Sequence, residues 1–215
     1  MRTIGILGTG NVGRVLATGL AASGRTVAVG SRTPERPLAW VDAAPGRRIR
    51  LTDLPGAAAA DVVVNALPGH VAVRSLGELR GALAGKVLVD VANAVEHGPD
   101  GFASALLYPG GSLAEAIQRE LPDIRVVKTL NTMGPAELMA APATASAPPS
   151  AFLSADDSRA RAVARELLAD LGWPAEWIVD LGGLATAWWP ESFILMVRPL
   201  VAALGPVPFG LAIAR

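Results

Sequence analysis

The sequence predicts an α/β fold built on a doubly wound parallel sheet, with a small carboxyl-terminal α/β appendage. Three observations carry this. Short Val/Ile/Leu runs without polar alternation recur along the chain, as in strands covered on both faces. Segments of helical spacing separate these runs, which implies right-handed crossovers between parallel strands. The first run meets a glycine cluster that opens the first helix.

Thr3 to Leu7 forms the first strand and stops at Gly8, and Asn11 to Ser23, with Val12, Val15, Leu16 and Leu20 near helical spacing, forms a helix that Gly24 ends. Further strands are expected at Val27 to Gly30, Arg48 to Leu51, Asp61 to Ala66, Lys86 to Val91 and Ile124 to Leu130, with a helix over Val71 to Leu83. Ser112 with Glu115 three residues on predicts a capping box for a helix that Pro122 closes. Met133 to Ser150, rich in Pro and Ala, reads as an ordered connecting loop or as a flap over a ligand. Then come a strand at Ala151 to Ser154, an amphipathic helix over Asp156 to Leu171 and a strand at Trp177 to Leu181. A last helix starts near Pro190, in its first turn. Phe193 to Val197 is apolar on every side, so that helix is expected to be buried, in the core or at the interface of a homodimer.

Composition narrows the function. The chain has 215 residues, 51% of them hydrophobic, and 19 basic residues balance 19 acidic ones. A neutral chain has no basic field for nucleic acid or an anionic membrane. The absence of cysteine excludes a disulfide framework and thiolate metal sites, and two histidines, His70 and His97, supply no histidine-rich metal centre, so no metal site is expected. The amino terminus lacks the h-region of a signal peptide, and the uncharged stretch from Pro199 to Ala214 is broken by Pro206 and Pro208. A soluble, cytoplasmic protein is expected, and any redox chemistry must come from a cofactor.

Gly8-Thr9-Gly10-Asn11-Val12-Gly13 fits G-x-G-x-x-G between strand and helix, where glycines let the backbone turn tightly and approach a pyrophosphate at the positive helix end. The bland alternative is a structural glycine turn. In this Rossmann-type arrangement an NAD site places an acid at the end of the second strand, but here Ser31-Arg32-Thr33 stands there, suited to a 2′-phosphate, so NADP(H) is expected; otherwise Arg32 is an ordinary loop cation. Ala66-Leu67-Pro68, Ala92-Asn93 and Asn131-Thr132-Met133 lie at further strand ends facing the nicotinamide, where small residues make a wall and amides hold the carboxamide or cap backbone. No catalytic residue is evident: His70, Asn131 and Thr132 are the candidates, with Tyr108 a further proton donor. Trp188 stacks on a planar substrate or packs in the core or an interface.

GTGNVG after the first strand, VGSR after the second, SLAEAIQRELP leading to VVKTLNTMGP, and a late DLGGLATAWWPES resemble the NADPH-dependent coenzyme F420 reductases, also called F420-dependent NADP oxidoreductases. The resemblance runs along most of the chain, and the reductase domain of the STEAP metalloreductases is similar at a greater distance. It implies a dinucleotide-binding domain over 1–131 and a smaller part over 132–215 that completes the substrate pocket and a dimer interface. It also implies hydride transfer between NADPH and a deazaflavin as small-molecule acceptor. By the same resemblance Thr9, Asn11 and Val12 join the phosphate loop, Ser31, Arg32 and Thr33 hold the 2′-phosphate, and Met133, Trp188 and Glu191 border the acceptor. The chain departs from the pattern at Ala187-Trp188, where an Ala-Arg or Ser-Arg pair before Glu191 is implied. The rival readings are an NADPH-dependent reductase of another small molecule (a cyclic imine, ketone, flavin or ferric chelate) and a non-catalytic NADP-sensing module.

Overall fold

The computed structural model describes residues 2–134, 136–147 and 149–213. In chain order the elements are β1 (Ile4–Leu7), α1 (Asn11–Ala22), β2 (Val27–Ser31), α2 (Ala39–Asp42), β3 (Ile49–Asp53), α3 (Leu54–Ala58), β4 (Val62–Asn65), α4 (Gly69–Glu78), α5 (Arg80–Leu83), β5 (Val87–Asp90), β6 (Val95–His97) and β7 (Ala103–Leu106). They continue as α6 (Leu113–Glu120), β8 (Arg125–Thr129), β9 (Met133–Gly134), α7 (Glu137–Ala140), β10 (Ala151–Ala155), α8 (Ser158–Asp170), β11 (Ile178–Gly182), α9 (Trp188–Ser192), α10 (Val197–Leu204) and β12 (Phe209–Gly210).

Eight strands form one sheet in the order β11-β10-β8-β5-β4-β1-β2-β3. From β3 to β8 every pairing is parallel, as the apolar runs predict. Alternate residues of each strand enter opposite cores: Ile4, Ile6, Val62, Val64, Val87 and Val89 face one cluster with α1 and α8, while Leu7, Val63 and Leu88 face the other with α4 and α6. Each fully buried Leu, Ile or Val contributes about 1.5–3 kcal/mol.

Several expectations are corrected. β10 runs antiparallel to β8, with Leu153 opposite Thr129 and Ser154 opposite Lys128, and β11 follows it in parallel. The carboxyl-terminal strands therefore extend the central sheet itself, in reverse. The helix expected over 71–83 is interrupted at Leu79, which ends α4 and precedes α5. Ser112 caps α6 by accepting from the Glu115 N–H at 3.1 Å, but its hydroxyl also donates to the Glu115 carboxylate at 3.0 Å, so the Glu side chain meets the cap's hydroxyl where a reciprocal box has it meet the backbone N–H. The 133–150 connection contains β9 and α7, and β9 pairs antiparallel with β12. The last helix is not swallowed by its own domain: among residues 193–204 only Phe193 is buried, and Met196 and Leu204 are more than half exposed.

Candidate functional site

Because β1, β2, β4, β5 and β8 are parallel neighbours, the segments that follow them share one edge of the sheet. This brings together the Gly8–Gly13 loop, Ser31–Thr33, Ala66–Pro68, Ala92–Asn93 and Asn131–Met133, residues far apart in sequence.

The glycine loop fits a pyrophosphate. Gly8 has φ +120°, and a Cβ there would stand 2.6 Å from the Ala66 carbonyl oxygen; a Cβ on Gly13 would stand 2.1 Å from that of Gly8. A Cβ on Gly10 would meet nothing within 4 Å, so the backbone there is open to an approaching ligand. Gly10 begins the 12-residue α1 with no side-chain cap and no acid in the first turn, which leaves the positive helix end unshielded. Thr9 and Val12 are half-buried; Asn11 is exposed and accepts from Arg14 at 2.7 Å.

At the end of β2 the Ser31 hydroxyl accepts from the Thr33 N–H at 3.0 Å, which shapes a turn on which Arg32 and Thr33 are exposed. Asp53 lies opposite Ser31 on β3, but its carboxylate caps α3 through the Gly56 N–H at 2.8 Å. Asp53 is therefore engaged as a helix cap, and among the described residues Arg32 has no hydrogen-bond or ion-pair partner, which leaves its guanidinium to meet an anion.

Deeper in the edge, Leu130 turns the chain with φ +63°, a conformation a leucine adopts only under constraint. It sets Asn131 against Asn93: the Asn131 amide donates to Asn93 Oδ1 at 2.9 Å, and the Asn93 amide to the Asn131 carbonyl at 3.0 Å. These amides thus bridge two strand ends. Asn131 Oδ1, Thr132 Oγ1 and Thr129 Oγ1 are buried with no hydrogen-bond partner among the described residues. Burying such groups without partners is costly: a ligand N–H would satisfy Asn131 Oδ1, while a threonine hydroxyl can accept from a ligand donor or donate to a ligand acceptor that reaches it. Met133 is half-buried in β9, and Ala66 and Leu67 are half-buried beside exposed Pro68. Asn65 donates to Asp90 at 2.8 Å and accepts from the Leu67 N–H at 3.2 Å, which fixes that turn.

Sequence reasoning missed the group that ties this edge to the carboxyl-terminal segment. Lys128 is fully buried on β8, with Nζ 2.8 Å from Asp90 Oδ2 and 2.8 Å from Glu191 Oε1, and it also donates to the Ala92 carbonyl. Burial alone would lower the lysine pKa; Asp90 and Glu191 overcome it and hold the ammonium above its ordinary value. Glu191, expected beside the acceptor, instead points inward, is 3% exposed, and accepts from the Leu113 and Ala114 N–H groups at 2.8 and 3.2 Å. The available signal was a lysine inside the apolar run VVKTL, one of two in the chain.

Trp188, three residues before Glu191 on α9, is half-buried with its indole N–H unpartnered, and meets exposed Trp189 edge-on at 4.5 Å between ring centroids. His70 is exposed at the second position of α4, and Tyr108 packs against the second core cluster. Among the described residues no hydrogen bond joins either to the amide pair.

A family model described as "NADP oxidoreductase coenzyme F420-dependent" matches residues 3–94. Over their full lengths, the chain and a proposed F420-dependent NADP reductase from Arthrobacter sp. FB24 are 36% identical, with a TM-score of 0.91 and 100% of each chain covered. Metalloreductase STEAP3 of Rattus norvegicus is 30% identical over 196 residues, 91% of this chain but 37% of that protein, so the chain spans little more than a third of that relative. An imine reductase from Streptomyces aurantiacus, 18% identical with a TM-score of 0.65 over 94% of this chain and 64% of that one, shares the fold alone. Among the described residues no helix is long and apolar enough to cross a membrane.

Proposed function

The chain belongs to the family of coenzyme F420-dependent NADP oxidoreductases, and from that premise we propose that it transfers a hydride between NADPH and a deazaflavin of the coenzyme F420 type. As an NADP(H)-dependent oxidoreductase it relies on the nicotinamide for the hydride chemistry itself. The observation that carries the acceptor assignment is the end-to-end likeness to the Arthrobacter protein. On this reading the Gly8–Gly13 loop and the start of α1 hold the pyrophosphate, and Arg32 with Ser31 and Thr33 holds the 2′-phosphate. Ala66, Leu67, Pro68, Ala92, Asn93 and Asn131 enclose the nicotinamide, with Met133 and Trp188 beside the acceptor. Hydride transfer needs donor and acceptor carbons about 3–3.5 Å apart with water excluded, so the chain's task is alignment. Asn131 and Thr132 supply polar groups for charge developing on the acceptor ring.

NADPH oxidation is followed with oxidised F420, then with free flavins and ferric chelates. Turnover is expected with the deazaflavin, and an enzyme that binds NADPH tightly but reduces only another acceptor overturns the assignment. The second reading, an NADPH-dependent reductase of another small molecule, is favoured by one observation: Trp188, with its unpartnered indole N–H, stands where the family pattern implies an arginine. Family membership leaves no place for a non-catalytic sensor. We also propose a homodimer, because Trp189, Leu195, Met196, Leu204 and Val207 are exposed on one apolar segment. Sedimentation of a monomer alone at micromolar concentration would count against it.

A further inference from the structure

The amino edge of the sheet, opposite the nucleotide loop, carries a cavity of about 400 Å³. Arg2, Asp61 and Lys86, which line it, stand immediately before or near the starts of β1, β4 and β5. These strands are four residues long, and at roughly 3.3 Å per residue the cavity lies on the order of 13 Å from the carboxyl edge. Because β10 is reversed, the 13-residue α8 begins at this same edge and places Arg159, its second residue, on the cavity wall. Val62 and Val163 add an apolar floor.

The charges do not cancel. Asp61 is occupied, accepting from the Thr3 N–H at 2.7 Å and the Thr3 hydroxyl at 2.9 Å, bonds that hold its carboxyl below the ordinary carboxylate range. Lys86 donates to the Ala58 carbonyl at 2.7 Å; burial draws its pKa down while Asp61 draws it up. Arg2 pairs with Glu166 at the rim. Arg159 has no hydrogen-bond or ion-pair partner among the described residues, whereas the start of α8 itself is capped by Asp157, whose carboxylate accepts from the Ala160 N–H at 2.8 Å and pairs with Arg125. If Lys86 is set against Asp61 and Arg2 against Glu166, the Arg159 guanidinium remains as an unbalanced cation on the cavity wall.

We propose that this cavity binds a small phosphate-bearing anion at a site separate from the nucleotide site. Arginine forks match phosphate oxygens bidentately, and the Arg2 and Lys86 groups lie within the same wall to share the charge. The volume sits at the low end of ligand pockets, which suits a compact phosphate or pyrophosphate group better than a dinucleotide. The proposal does not depend on which acceptor the enzyme reduces.

The test titrates inorganic pyrophosphate into the whole protein already saturated with NADP+, so that the glycine loop is filled. Saturable binding by calorimetry is expected, weakened at least about tenfold in Arg159→Glu, the scale of one lost charge-assisted bond. Arg159 is exposed, so the variant should keep its circular dichroism and its NADPH affinity. No saturable binding up to millimolar pyrophosphate overturns the proposal. So does binding that Arg159→Glu leaves unchanged, because the anion would then lie elsewhere.

Discussion

Lys128 and Glu191 meet at 2.8 Å where neither side chain has more than 4% exposure, and this one contact joins β8 to the helix that bears Trp188. Asp90 holds the same ammonium from the other side, and its second oxygen fixes Asn65 at 2.8 Å and the Ala92 N–H at 3.2 Å. A single buried cation is therefore shared by the turns proposed to enclose the nicotinamide and by the segment proposed to border the acceptor.

Lys128→Met should destabilise the fold by about 3–5 kcal/mol, because two buried carboxylates lose their cation together. Urea unfolding measures it, and a loss under about 1 kcal/mol would mean that Asp90 and Glu191 find other partners.

The same lysine sets a pH dependence. Its pKa is raised in the fold, so its contribution to stability is complete below the unfolded lysine value of about 10.4 and disappears as pH rises through the higher folded value. Thermal melts should show a decline above that pH in the parent that is absent from Lys128→Met; identical alkaline profiles would show that the ammonium is not held.

Gly10 and Gly13 should fail differently. Gly13→Ala forces a Cβ to 2.1 Å from a carbonyl oxygen and should lower the melting temperature, whereas Gly10→Val has open space and should melt as the parent does while losing NADPH binding. Fluorescence titration with NADPH beside thermal melts separates the two. Undiminished affinity in Gly10→Val would give the loop another purpose.

Arg32→Ala should reduce the preference for NADPH over NADH by about 1.5–3 kcal/mol, roughly tenfold to a hundredfold in kcat/KM, the range for hydrogen bonds to a charged group. The parent should prefer NADPH, and equal use of both cofactors would remove the assignment.

Trp188→Arg distinguishes the two acceptors. With a deazaflavin, the variant should keep or improve turnover, since it restores the arginine implied by the family pattern. With an uncharged substrate, an unpaired guanidinium in a half-buried place costs several kcal/mol, and activity should fall. No effect on any acceptor would place Trp188 outside the site.

Much of this was legible in the sequence because the signals were local. Strands such as VVVN and VLVD announce themselves by composition, and the glycine spacing names its own turn. What was hidden is relational. Hydropathy carries no strand direction, so the reversal of β10 could not be read from Ala151–Ala155. The β6–β7 hairpin escaped because Glu96, His97 and Ser104 are exposed on short strands. Glu191 was expected to face a ligand because nothing in the sequence disclosed that Lys128, far away in the chain, would meet it.

Sheet order also sets a schedule for synthesis. β1 to β5 emerge within the first 90 residues and complete the block β5-β4-β1-β2-β3 while the outer edge of β5 still lacks its neighbour. β8 covers that edge and is itself covered only by β10. Each newly made sheet thus presents one bare strand to the cell until the ribosome delivers the next, an opening for pairing with the wrong chain. Lys128 enters the interior paired with Asp90 alone, so until α9 docks and brings Glu191 the buried ammonium lacks one of its hydrogen-bond acceptors. Growth stalls or truncations between β8 and α9 should be the stage at which this chain most needs chaperones.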